Sequence, residues 1–200
     1  VLIDCYQGVG VLGLDLARLG VDFAVGGMVK YLLGTSGLGF LYVRGELIRA
    51  LLPTSSGWFA QEDIAAMDIT ANTPAASARR FEAGTPAVAS CYAAEAGLKI
   101  LEEVGLRQVE ARVRALSLHC LERLQEIGWA ASTPPEPQRH GPLVCVPARQ
   151  VQRLVEELKG DGIVTSCRDG QLRASFHFYN NEEDVETLVQ ALARRRAQFR

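Results

Sequence analysis

Lys30 stands in the run Val25-Gly-Gly-Met-Val-Lys-Tyr-Leu-Leu-Gly34, followed at once by Thr-Ser-Gly-Leu-Gly-Phe-Leu-Tyr-Val-Arg44. A solvated surface lysine keeps polar company, whereas this one is framed by apolar residues and glycines. The setting predicts an amine held in a dry pocket, where burial favours the neutral form and makes it a nucleophile towards carbonyl compounds. Asp4 and Gln7 follow an apolar run, at the exit of what reads as a strand. A carboxylate there can keep a heterocyclic nitrogen protonated, and a nearby amide can bond a ring hydroxyl. Gly84-Thr85-Pro86 places a hydroxyl and backbone N–H groups at the start of a helical pattern, an arrangement suited to phosphate.

The elements that must position these groups follow from periodicity and breakers. Residues 1–3 and 21–25 read as buried strands, the second closed by Gly26-Gly27, and 39–43 as a third. Leu12 to Leu19 fits a short amphipathic helix ending at Gly20. Alternation of this kind implies an α/β layered sheet, with ligands at the carboxyl ends of the strands. Residues 53–80 are irregular, and so long a stretch inside a compact domain is usually functional. Thr85 and Pro86 are expected as N-cap and first residue of a helix running to Val104, with a longer helix from Leu106 to Ile127.

Beyond the proline-rich connection 133–137, the pattern predicts strand 142–146, helix 148–159, strands 163–167 and 172–176, and helix 182–195, a small α+β domain. The domains expected are therefore 1–105 and 106–200. Arg194, Arg195, Arg196 and Arg200 read as a solvated helix end, where cations suit the macrodipole.

Composition narrows the class. Hydrophobic residues make up 48% and charged ones 22%, as in globular proteins, and a net charge of −2 argues against nucleic-acid or acidic-membrane partners. Cys5, Cys91, Cys120, Cys145 and Cys167 show no zinc spacing, so no metal is expected. Unpatterned cysteines suggest reduced thiols and a cytoplasmic location. No Gly-rich fingerprint follows the first strand, which sets a generic nucleotide-binding domain aside.

Acid, amine and phosphate binder are the parts that seat pyridoxal 5′-phosphate, whose chemistry needs a lysine Schiff base and an acidic partner for the pyridinium. Five segments carry a resemblance in order: Asp4-Cys-Tyr-Gln7, Gly27-Met-Val-Lys30-Tyr-Leu-Leu-Gly34, Gly37 to Arg44, Arg80-Phe-Glu-Ala-Gly-Thr-Pro86, and Leu172-Arg-Ala-Ser-Phe-His-Phe-Tyr-Asn180 with Glu182-Glu-Asp184. Together they resemble the class V aminotransferases, a branch of the fold type I pyridoxal-phosphate enzymes that includes cysteine desulfurases, kynureninases and isopenicillin N epimerases. The resemblance implies the C-terminal part of the large cofactor domain followed by the small domain.

It also implies roles. Asp4 would pair with the pyridine nitrogen, Gln7 with the 3-hydroxyl, and Lys30 would form the Schiff base and then shuttle protons. Gly84 and Thr85 would reach the cofactor phosphate of a neighbouring subunit, which implies a homodimer with shared active sites. Arg173 would clamp the carboxylate of a small amino-acid substrate, and Trp58 in Ser56-Gly-Trp-Phe59 resembles a kynureninase motif, with a plain packing role as its alternative. Where the family carries serine and histidine that touch the phosphate, this chain has Gly27 and Val29.

The reaction expected is that of a class V aminotransferase-like enzyme, with kynureninase-like hydrolysis or cysteine desulfurase/lyase chemistry as alternatives. Cys167-Arg-Asp-Gly-Gln-Leu-Arg173 reads as a tight strand-turn-strand, with its turn at Arg168-Asp-Gly170 and no room for a mobile loop, so Cys167 reads as a strand cysteine rather than a persulfide carrier. Arg168 reads as a contact near that turn, His177 and Tyr179 as shapers of a strand end, and His119 as structural. A chain opening directly on a strand also suggests a piece of a longer enzyme, inactive alone. A non-catalytic fragment or interaction module is the reading of another class.

Overall fold

The computed structural model describes residues 1–199, with side chains described as far as residue 197. Arg200 of the expected arginine cluster lies outside the described residues. The chain divides into two compact units: residues 1–9 with 14–103, and residues 10–13 with 104–200.

In the first unit β1 (Leu2–Asp4), β2 (Phe23–Gly27) and β3 (Gly39–Val43) form one sheet in that order. β1 and β2 run parallel with Asp4 opposite Val25, and β2 and β3 are antiparallel. The second strand therefore begins two residues later than its apolar run suggests and contains both glycines that were expected to end it. Cross-strand crowding explains this. A Cβ on Gly26 would lie 2.6 Å from the Phe40 ring directly opposite, so the strand continues only with glycine there.

Leu12 to Leu19 is not a helix. Asp15 accepts the Arg18 N–H on its side chain (3.0 Å) and the Leu19 N–H on its carbonyl (3.0 Å), making one turn. Gly20, at φ +65, then stops it.

A six-residue α1 (Gly45–Ala50) follows β3. Residues 53–80 are irregular as expected, with short 3₁₀ turns at Trp58–Ala60 and Ala78–Phe81. α2 (Val88–Val104) starts beyond Pro86, and the Cys91 N–H donates to the Ala87 carbonyl. The proline presets φ without starting the i→i−4 ladder, so Thr85 lies ahead of the helix and is not its N-cap.

The second unit holds α3 (Leu106–Glu126), β4 (Leu143–Pro147), α4 (Val151–Gly160), β5 (Ser166–Arg168), β6 (Gln171–Ser175) and α5 (Glu182–Phe199). The antiparallel sheet has the order β4-β6-β5. Its β5–β6 link is a two-residue turn of Asp169 (φ +51) and Gly170 (φ +73), left-handed at both positions as the twist of a hairpin requires. Asn181 and Asp184 cap α5 reciprocally, at 3.0 and 3.1 Å. One core joins Leu116, Leu124, Trp129, Leu154, Leu172 and Leu192 with their neighbours.

The arginine cluster is not simply a solvated helix end. Arg195 is only 16% exposed and ties α5 to α4 through Asp161 (2.8 Å) and Glu157 (3.2 Å). His119 pairs with Glu186 at 3.0 Å, a structural contact between α3 and α5.

Cys120 lies fully buried in this core, and burial pushes its thiol up to about 12, with the Glu186 carboxylate adding to the effect. Native protein treated with a disulfide reagent at pH 8 is therefore expected to be modified at the half-buried Cys91, Cys145 and Cys167. Cys120 should react only in denaturant, as peptide mass spectrometry will show.

Candidate active site

Parallel pairing of β1 and β2 brings their carboxyl ends to one edge of the sheet. Asp4 is the last residue of β1, and Lys30 follows the last residue of β2 by a short turn. The sequence thus sets an acid and an amine at adjacent strand exits, the place where side chains of an open α/β sheet converge on ligands.

Tyr6 joins the two. Its backbone N–H donates to Asp4 Oδ1 at 2.9 Å. The Lys30 Nζ lies 4.6 Å from the centroid of its ring. That ring also crosses Gly27, where a Cβ would come within 2.4 Å of the Tyr6 Oη and Cζ. Sequence reading passes over Tyr6 because an aromatic beside a strand exit ordinarily signals packing; only the pairing of a bare glycine with a nearby aromatic could have pointed to it.

The loop carrying Lys30 is held from both sides. Gly34 N–H donates to the Met28 carbonyl (2.8 Å), Leu33 N–H to the Lys30 carbonyl (3.0 Å), and Met28 N–H to the Leu38 carbonyl (3.1 Å). Leu33 sits in the left-handed region at φ +59, a conformation that costs a branched residue about 1–2 kcal/mol. The small face of α2 supplies the compensating contacts. Ser90 Oγ donates to the Ser36 carbonyl at 3.0 Å, and Gly97 lets the helix approach the Leu32 carbonyl.

Leu32 and Leu33 therefore serve this packing, and the apolar residues around Lys30 do not wall off the amine. Leu32 is buried at 8% exposure, whereas Val29 is 44% exposed and Lys30 itself is exposed. The expected dry pocket is not formed by these residues. Asp4 and Gln7 are exposed too, so all three polar groups open on solvent in the described structure.

A second cluster lies elsewhere in the same unit. Trp58 Nε1 is 3.8 Å from where a Gly84 Cβ would stand, and Gly57 packs so closely on Ala83 that any side chain there would strike its carbonyl. Gln61 clasps this loop: its amide donates to Asn72 Oδ1 (2.9 Å) and Ser56 Oγ (3.1 Å) and accepts from the Thr73 N–H (2.8 Å). Trp58 is 44% exposed and meets Phe59 edge to face, beside a cleft of about 550 Å³ lined by residues of 56–73. Gly84 and Thr85 are exposed.

Arg173 belongs to the second unit. It sits on β6 between the buried Leu172 and Ala174, so strand alternation turns it to the face opposite the core. Cys167 is on β5, opposite Leu172. No helix among the described residues is long and apolar enough to cross a membrane.

The donor set at the β1/β2 edge fits pyridoxal phosphate. A carboxylate, an amide and a primary amine match its ring nitrogen, hydroxyl and aldehyde carbon. Gly27 and Val29 add no polar side chain.

Comparison with known proteins gives the same family. The model of "Aminotransferase class-V" matches residues 1–188. The chain is 32% identical to an uncharacterized aminotransferase, YcbU, of Bacillus subtilis, covering 96% of this chain and 50% of that protein. It is 30% identical to isopenicillin N epimerase of Streptomyces clavuligerus over 96% of this chain and 51% of that protein. Among solved structures, an apo cysteine desulfurase from Thermococcus onnurineus superposes with a TM-score of 0.86 at 25% identity, again covering 96% of this chain and 51% of that one. The chain thus spans about half the length of the curated relatives it matches. It belongs to the class V aminotransferase family, whose members are fold type I enzymes built around pyridoxal phosphate.

Proposed function

We propose that this chain carries the reactive lysine of a pyridoxal-phosphate enzyme that acts on an amino acid by class V aminotransferase-like chemistry. The observation that carries this reading is the placement of Asp4 and Lys30 at adjacent carboxyl ends of a parallel strand pair, linked through Tyr6. When bound, the cofactor supplies an electron sink for the bond broken at the amino acid's α carbon. The chain's residues would do the rest. Asp4 would hold the ring nitrogen charged, Gln7 would bond the ring hydroxyl, and Lys30 Nζ would take the α proton and return it. We assign Gly84 and Thr85 to the phosphate of a partner in a homodimer, Trp58 to the substrate pocket, and Arg173 to the substrate carboxylate, a task suited to a planar bidentate donor. A cytoplasmic location is part of the same proposal.

Kynureninase-like hydrolysis and desulfurase or lyase chemistry use the same lysine. Against a persulfide carrier stands the setting of Cys167, held in a three-residue strand and followed by a two-residue turn that gives a thiol little reach. Against a non-catalytic module stands the retention of Asp4, Gln7, Lys30, Thr85 and Arg173 together in one chain.

The test is a labelling experiment on Lys30, Lys99 and Lys159, the lysines of the chain. After incubation with pyridoxal phosphate and reduction with borohydride, the label is expected on Lys30 ahead of the others. Lys99 is already paired with Glu95 at 2.7 Å. Label spread evenly over the three would sink the reading.

A further inference from the structure

We propose that Tyr6 is a positioning residue for Lys30, its ring forming the seat on which the lysine amine rests, and that Gly27 is glycine because that ring occupies the space of its side chain.

The geometry rests on three contacts of one residue. The Lys30 Nζ stands over the Tyr6 ring at 4.6 Å from its centroid, inside the range in which an aromatic face attracts a cation. The far end of the ring lies against Gly27, with 2.4 Å between the Oη and a Cβ built there. Real Cβ atoms do not come this close, so a side chain at residue 27 and the ring at its present place exclude each other. The third contact is the Tyr6 backbone N–H, which fixes the Asp4 carboxylate at 2.9 Å and keeps the start of this segment in register with β1.

The ring matters because Lys30 is exposed, Val29 beside it is exposed too, and Leu32 and Leu33 pack towards α2 instead of holding the long side chain to one direction. A flexible amine of four methylenes loses substantial rotamer entropy when fixed. A ring that already holds it near the Asp4 edge lowers the cost of bringing it to a carbonyl carbon. Positions 6 and 27 then act as one unit. A bulky ring at one requires a bare backbone at the other, and either change alone frees the amine.

The contact exists apart from the cofactor, so it can be tested apart from it. Reductive methylation with ¹³C-formaldehyde places NMR-visible methyl groups on Lys30, Lys99 and Lys159. In the unsubstituted chain the Lys30 methyls are expected upfield of the other two, because they sit over an aromatic face. Tyr6→Phe should keep that shift, whereas Tyr6→Leu and Gly27→Ala should each abolish it. Labelling of Lys30 by pyridoxal phosphate relative to Lys99 should fall about 2- to 5-fold in the last two variants, the cost of fixing a side chain that the ring no longer directs. A Lys30 signal without upfield shift in the unsubstituted chain, or one unchanged in Tyr6→Leu, overturns the proposal. The consequence for labelling rests on the function proposed above, and the two fail differently. A ring shift that is present and lost on Tyr6→Leu, with no preference of pyridoxal phosphate for Lys30 in any variant, upholds the seat and sinks the cofactor reading.

Discussion

Replacing Lys30 with alanine is expected to reduce exchange of the α proton of amino acids with solvent deuterium by about 10²–10⁴-fold, the range that one positioned acid–base group contributes. The loss should be larger than that of any other single substitution at this edge. On the reading proposed above, Asp4 would tune the charge of the ring nitrogen, and Gln7 would contribute one hydrogen bond. On the same reading, Lys30 would be both the amine that meets a carbonyl carbon and the base that moves a proton, so no neighbour would substitute for it. Proton NMR of an amino-acid mixture in D₂O with added cofactor reads the effect for whichever amino acid reacts, because transamination and epimerisation both labilise the α hydrogen. Exchange that persists in Lys30→Ala at the unsubstituted rate would remove the lysine from the mechanism. Lys30→Arg makes a useful companion, since it keeps the charge over Tyr6 and lacks the nucleophile.

The second large effect concerns stability and has a sign opposite to helix propensity. Gly97 lies in the middle of α2, where alanine ordinarily gains about 1 kcal/mol over glycine. Here a Cβ would stand 2.4 Å from the Leu32 carbonyl oxygen and 2.8 Å from Leu33 C and O. These are backbone atoms and cannot swing aside. Gly97→Ala must push the helix away from the loop or displace the loop, and overpacking of this kind costs about 1–3 kcal/mol. Net destabilisation is therefore expected in thermal or denaturant unfolding of the first unit. Because the displaced loop is the one that carries Lys30, cofactor labelling of Lys30 should fall in the same variant under fully native conditions. A more stable Gly97→Ala chain would mean that the close approach is not maintained in solution.

Much of the fold was legible because local rules and tertiary structure agree. The strand Gly39–Val43, the helix from Leu106, and the hairpin around Asp169-Gly170 follow from apolar runs, periodicity and turn chemistry. Asp4 and Lys30 stand out as residue types at strand exits, and parallel pairing places those exits side by side.

The misses have physical causes. The segment 12–19 has the apolar spacing of a helix, yet Asp15 offers its own hydrogen bonds to the following turn and Gly20 ends it. Gly26 and Gly27 read as strand terminators when taken alone; only the rings of Phe40 and Tyr6, distant in sequence, show why they continue the strand. Exposure of Lys30 was equally hidden, since sequence shows that neighbours are apolar but not which way they face. The pairing of Arg195 with α4 likewise depends on an interhelix geometry that composition does not carry.

The short segment Gly10–Gly13 has a consequence for anyone who would dissect the gene. It belongs to the second unit, although β2 and all of α2 follow it in the chain. Val11 is fully buried, and Gly13 N–H donates to Glu110 of α3 at 2.8 Å, a carboxylate that Arg114 and this N–H hold below the usual range. The second unit is therefore not a linear module. A clone cut at residue 104 would encode its helices and its sheet but omit an early tetrapeptide that plugs them, leaving Glu110 without that donor. Swapping this unit between relatives would require two exchanges of coding sequence, one of them only four codons long.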